Sequence, residues 1–273
     1  MHSLLFRFMK NMTRYCSLVV FVLFFSHPVS SQIRGDFKSI TSGNWNSPST
    51  WQMYDGSIWK DTITTPGPSN SVYIQNNHNV TLTQNESCNN LNLHTGDNQT
   101  RLTTGSFTLD VKGKLRAFTG NAPGASTSAL PFTNYWINTS GGGKILITGP
   151  GRAITNSGEW GGNPPGWKLE IALDQGENGL LYTSLRAAHI VISSGNVIFS
   201  GDNVFFPDSG VYGSGTLTIQ SDASLRLKSG SLRRLLTAGV NSHFRSLIVN
   251  GTLAFDSSVV GAIGAAVINF NGK

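Results

Sequence analysis

Short strand-like segments that come in pairs, joined by small polar corners, limit what this chain can fold into more than any other feature. Residues 107 to 117, 215 to 227 and 244 to 255 each read strand, corner, strand. Apolar residues alternate within each arm, the period-2 mark of a strand with one buried face. Similar alternating segments recur at residues 72 to 74, 80 to 82, 91 to 93, 145 to 147, 190 to 192 and 197 to 199. Equivalent positions Ile192, Ile219 and Val249 lie 27 and 30 residues apart, a period at which successive units stack as coils. A β-sandwich also alternates, with turns about every 8 to 12 residues. Very short strands, and corners of one to four residues without long hairpins, favour a solenoid in which each coil buries its inward side chains on its neighbours.

Composition supports an all-β chain and argues against a helical bundle. Charged residues make up 12% of the 273 positions, against roughly a quarter in an average soluble domain. Only four Glu occur, so polar helix formers are too few to cover helical surfaces. Ser, Thr and Asn number 32, 24 and 24, and with 31 Gly they supply turn formers and small polar strand residues instead.

The N-terminus reads as an export signal. Arg7, Lys10 and Arg14 precede an apolar run over residues 18 to 25, followed by small residues around Ser30 and Ser31. Cleavage near Ser31 is expected, and the apolar run is far shorter than the ~20 residues of a membrane span. Removing residues 1 to 31 leaves 17 basic against 14 acidic residues, a net charge of +3, so no broad basic surface for nucleic acid is expected. Cys16 leaves with the signal, and Cys88 alone cannot form an intrachain disulfide. The expectation is a secreted or outer-surface protein with no membrane span in its mature part.

Texture divides the mature chain near residue 120. The first part, residues 32 to 120, opens with Trp45, Trp51 and Trp59 among Gly and Pro turns; residues 121 to 273 continue as coils. The stretch Ser42, Gly43, Asn44, Trp45 through Thr50 and Trp51, then residues 66 to 74 and 78 to 82, resembles the start of G8-type domains. It is most similar to those opening large secreted Bacteroidetes proteins exported by the type IX system. That pattern runs Ser-Gly-x-Trp, a Thr-Trp pair, a Pro-led turn, Val-x-Ile and a second strand; Asn70 stands where the family usually has Asp. The resemblance covers about residues 36 to 93 and implies a right-handed parallel β-helix with surface display, adhesion or glycan-related roles. Gly43, Trp45, Thr50 and Trp51 are read as a cap that closes the open end of the stack. Residues 268 to 273 end within a strand pattern, so the chain is expected to continue beyond Lys273.

Catalytic chemistry finds little support in the residues. Glycan-cleaving β-helices need clustered carboxylates, whereas the ten Asp are scattered and no calcium-loop repeat occurs. The histidines lack ligand spacing, no Gly-x-Ser-x-Gly elbow is present, and Cys88 reads as packing at a strand start. No catalytic residue, metal or cofactor is assigned. Candidate ligand contacts are the loop aromatics Tyr135, Trp136, Trp160 and Trp167, whose rings could stack on sugars, and the basic cluster Arg226, Lys228, Arg233 and Arg234. The functional expectation is a non-catalytic module for adhesion, display or polysaccharide contact; the alternative is a polysaccharide lyase or hydrolase of β-helix type, or the leader of one.

Overall fold

The chain was analysed as a computed structural model, which describes residues 32–94, 101–118, 137–139, 141–149, 168–174, 178–181, 185–187, 189–199, 205–207, 216–227, 244–255 and 265–270. The expected signal, Tyr135, Trp136, Trp160, Trp167, Lys228, Arg233 and Arg234 lie outside these residues, as do Asp97, Asp202, Asp208 and Asp256.

Strands account for nearly all regular structure. The N-terminal part holds β1 (Phe37–Ser39), β2 (Gly43–Asn44), a single 3-10 turn (Pro48–Thr50), β3 (Trp51–Tyr54) and β4 (Trp59–Asp61). Next come β5 (Val72–Ile74), β6 (Asn79–Thr81), β7 (Glu86–Cys88), β8 (Leu91–His94), β9 (Arg101–Thr103), β10 (Thr108–Val111), β11 (Leu115–Phe118), β12 (Ile137–Asn138) and β13 (Lys144–Ile147). Then follow β14 (Lys168–Ala172), β15 (Asn178–Leu181), β16 (Leu185–Ala187), β17 (His189–Phe199), β18 (Phe205–Pro207), β19 (Thr216–Ile219), β20 (Ala223–Leu227), β21 (Phe244–Val249), β22 (Thr252–Phe255) and β23 (Ala265–Phe270).

Apart from β3–β4 and β13–β14, these strands pair across the sequence rather than with their chain neighbours. One sheet has the order β11-β8-β5-β1-β3-β4 and a second β12-β9-β6-β2; a third runs β7-β10-β13-β14-β17-β19-β21-β23, with β15 and β20 on β17 and β22 on β20. From β5 to β13 the chain visits the three sheets in strict rotation. Among the described residues only β1–β3 and β3–β4 are antiparallel. A sandwich, built of antiparallel sheets, does not have this pairing.

Register explains why such short strands suffice. Val111, Ile147, Ile171, Ile192, Ile219 and Val249 fall opposite one another on consecutive strands, and all are buried. The spacing between Ile192, Ile219 and Val249 seen in the sequence is therefore a true register. Each buried aliphatic side chain is worth roughly 1.5–3 kcal/mol relative to exposure, so rows of this kind supply the main stabilisation of a chain whose Cys88 is free.

Polar corners tie one turn to the next. The Asn90 side chain donates to Ser71 Oγ at 2.9 Å and accepts the Lys114 N–H at 2.8 Å, linking three successive passes of the chain. Gly113 fits beside it because any Cβ there would lie 2.6 Å from Asn90 Oδ1.

Three sequence expectations need correction. Residues 190 to 192 and 197 to 199 belong to the single strand β17, which bends at Gly195 (φ 79°). Its first half pairs with β14 and β19, its second with β15 and β20. Ser193 and Ser194 hydroxyls donate to the carbonyls of Ile171 and Leu173, so hydrogen bonding does not lapse at the corner. Cys88 sits at the end of β7 and not at a strand start. The Trp-rich region, read as turns, contains four strands.

Candidate functional site

The motif residues Gly43, Trp45, Thr50 and Trp51 converge at the edge of the second sheet. Pro48 starts the 3-10 turn with its ring-fixed φ, and the turn brings Thr50 back over β2. The Thr50 hydroxyl donates to the Asn44 carbonyl at 2.9 Å, and a Cβ on Gly43 would lie 2.5 Å from that hydroxyl oxygen. Trp51 Nε1 donates to the Trp45 carbonyl at 2.7 Å, while Trp45 Nε1 lies 3.4 Å from the Pro66 carbonyl. Both indoles are fully buried and meet edge to face at 5.4 Å, with Phe37 edge to face on Trp51 at 6.5 Å. Ring packing of this kind adds about 0.5–1.5 kcal/mol beyond burial.

Around these rings several polar groups have specific partners. Asn70 Oδ1 accepts the Gly67 N–H and Asn70 Nδ2 donates to the Gly35 carbonyl, both at 2.8 Å. Asp would keep the first bond and lose the second, which accounts for Asn at this position. Asp36 is buried, accepts the Ile33 N–H at 2.9 Å, and has its pKa raised mainly by desolvation. Ser39 Oγ accepts the Gln75 N–H and lies 2.8 Å from His78 Nδ1, the donor depending on the imidazole tautomer. This has the form of half a nucleophile–base pair. Ser39 is 1% exposed and its oxygen is already engaged, so the pair is structural.

Outside the core, the β3–β4 hairpin presents an aromatic surface. Asp55 closes it: its Oδ1 accepts the Ser57 and Ile58 N–H groups at 2.9 and 3.0 Å, its Oδ2 pairs with Lys60 Nζ at 2.5 Å, and Gly56 takes φ 104°. The Lys60 hydrogen bond, followed by the two backbone bonds, holds the Asp55 carboxyl well below the usual range. The closed hairpin sets Tyr54 opposite Trp59, with ring centres 5.3 Å apart. Trp59 also meets Tyr73 edge to face at 6.5 Å, and the Lys38 ammonium lies 5.0 Å over its ring. Burial lowers the Lys38 pKa. Tyr54 and Trp59 stay half-exposed, and in the same stretch of chain Ile58 is 57% and Ile63 93% exposed.

This surface was not singled out from the sequence as a contact site. Trp59 reads there as one more ring in a turn-rich stretch, and only the β3–β4 register places it beside Tyr54. Of the expected basic cluster, the structure describes Arg226 alone, exposed on β20 beside buried Leu225. Acidic groups stay dispersed: Asp110 engages Lys112 and Thr148, and Glu170 pairs with Lys144. Among the described residues no group of three or more His, Cys, Asp or Glu is placed to hold a metal ion, and no helix is long and apolar enough to cross a membrane. Burial, with the nearby Asp110 carboxylate second, raises the Cys88 thiol pKa strongly and leaves it unreactive. No family model, curated protein or solved structure matches the chain.

Proposed function

We propose that this chain is a right-handed parallel β-helix, exported by a signal cleaved near Ser31, that serves as a non-catalytic module for display or adhesion through polysaccharide contact. In this reading Gly43, Trp45, Thr50 and Trp51 form its cap, in keeping with the resemblance to G8-type regions of type IX cargo. Support for the coil comes from the three-sheet rotation and the parallel, in-register rows. Support for the cap comes from the two buried indoles beside the terminal strand β2.

The observation that carries the contact role is the half-exposed Tyr54–Trp59 pair, with the Lys38 ammonium over the Trp59 ring. Flat rings on a rigid sheet stack on the apolar faces of sugars without ordering a flexible loop. Affinity electrophoresis against immobilised neutral and acidic polysaccharides tests it. Wild type should be retarded by at least one neutral polymer, and Trp59→Ala should weaken that retardation about threefold to tenfold, as expected for one ring contact. Equal migration of the two proteins in every polymer would overturn the contact role.

A further inference from the structure

A second outward surface crosses the long third sheet. Register sets Lys168 beside His189 and His189 beside Thr216, and the Ile145–Leu169 pairing places Lys144 beside Lys168. The intervening Ile145, Leu169 and Ile190 are buried, so alternation turns Lys144, Lys168 and His189 to the outside. Three basic side chains thus stand in one row across adjacent parallel strands, at the ~4.8 Å strand spacing.

Like charges directly opposite one another are unfavourable, and the row is only partly compensated. Glu170 pairs with Lys144, whereas no ion pair to Lys168 occurs among the described residues. His189 is half-buried with Nδ1 2.9 Å from Thr216 Oγ1. Its pKa is lowered by burial and, second, by the Lys168 charge. An anion here would pair with the Lys168 charge and, with Nδ1 accepting from Thr216 Oγ1, take a hydrogen bond from the His189 Nε2–H as well.

We propose that the Lys144–Lys168–His189 row binds an acidic polysaccharide laid along the stacking direction, with its carboxylate or sulfate groups over Lys168 and His189. The row adds an anionic substrate class to the polysaccharide-contact reading, and it uses a different face from Tyr54 and Trp59.

The test uses the whole chain with three probes: alginate for carboxylates, heparin for sulfates and dextran as a neutral control. NMR follows the His189 ring signals, identified by their loss in His189→Gln, and calorimetry gives the affinities. Alginate or heparin should shift the His189 signals, dextran should not, and Lys168→Ser should lower affinity about tenfold, the scale of one charge-assisted hydrogen bond, at unchanged thermal stability. Trp59→Ala should leave these anionic affinities within twofold. Unshifted His189 signals under both anionic polymers would overturn the proposal. So would unchanged affinity in Lys168→Ser, which would send the anion elsewhere, for example to the surface around Arg226. If Trp59→Ala has no effect in any polymer while the His189 shifts persist, the aromatic contact fails and the basic row stands.

Discussion

The N-terminal strands and the long parallel sheet are held together in opposite ways. Between β10 and β21 the inward rows are Val, Ile and Leu in register, and one aliphatic side chain can replace another with little consequence. Among the described N-terminal residues the chain instead uses two indoles, Gly43 against Thr50, the two-way amide of Asn70 and the buried carboxyl of Asp36. A repeat tolerates substitution because each row is backed by the next. The N-terminal strands hold Thr50, Trp51 and Asn70 through particular hydrogen-bond partners instead.

The sharpest way to break this contrast is a pair of deletions. Trp51→Ala should cost about 3–5 kcal/mol, whereas Ile145→Val in mid-stack should cost about 0.5–1.5 kcal/mol, both read from urea unfolding of the whole chain. Comparable losses would mean that the N-terminal strands are no more specific than the long sheet. Gly43→Ala comes next, at about 1–3 kcal/mol for the overpacked Cβ against Thr50. Adding Thr50→Ala should recover part of that loss, because the clash needs both side chains. Two losses that simply add would place the strain of Gly43→Ala elsewhere.

Smaller effects probe the polar matching. Asn70→Asp should cost about 1–3 kcal/mol near neutral pH by leaving the Gly35 carbonyl without its donor. The loss should shrink in acid as the new carboxyl gains a proton it can donate, and a pH-independent loss would count against this role. Asp36 carries the smallest expected signal. Its folded pKa is raised, so the native state binds the proton more tightly than the unfolded chain. That contribution is full below the unfolded value of about 3.9 and is lost as pH rises through the higher folded value. Asp36→Asn should remove this slope from the stability profile between pH 3 and the folded pKa; an unchanged slope would assign it to another carboxyl.

Much of the interior was legible because aliphatic alternation and small corners report directly on rows and turns. Ile192, Ile219 and Val249 could be aligned by spacing alone, since each follows the same strand pattern. β1 to β4 were not legible, because Trp51, Gln52 and Met53 carry no clean alternation and their antiparallel pairing departs from the repeat. The continuity of β17 was hidden because Ser194 and Gly195 resemble a break, although serine hydroxyls and one positive φ carry the strand through it. Neither outer surface could be read directly: Lys168 and His189 are 21 residues apart, as Trp59 and Tyr73 are 14 apart, and only the fold brings such residues together.

The register itself is the central claim, and disulfide trapping tests it most directly. Val191 and Thr218 face outward on adjacent strands in direct opposition, with Ile248 one strand further on. Neighbouring strands at ~4.8 Å fall within the Cα range a disulfide needs, and strands twice as far apart do not. In the whole chain carrying Cys16→Ser, with Cys88 buried, Val191→Cys paired with Thr218→Cys should oxidise readily, while Val191→Cys paired with Ile248→Cys should stay reduced under the same conditions. Equal trapping of both pairs, or preferential trapping of the second, would contradict the parallel in-register stack.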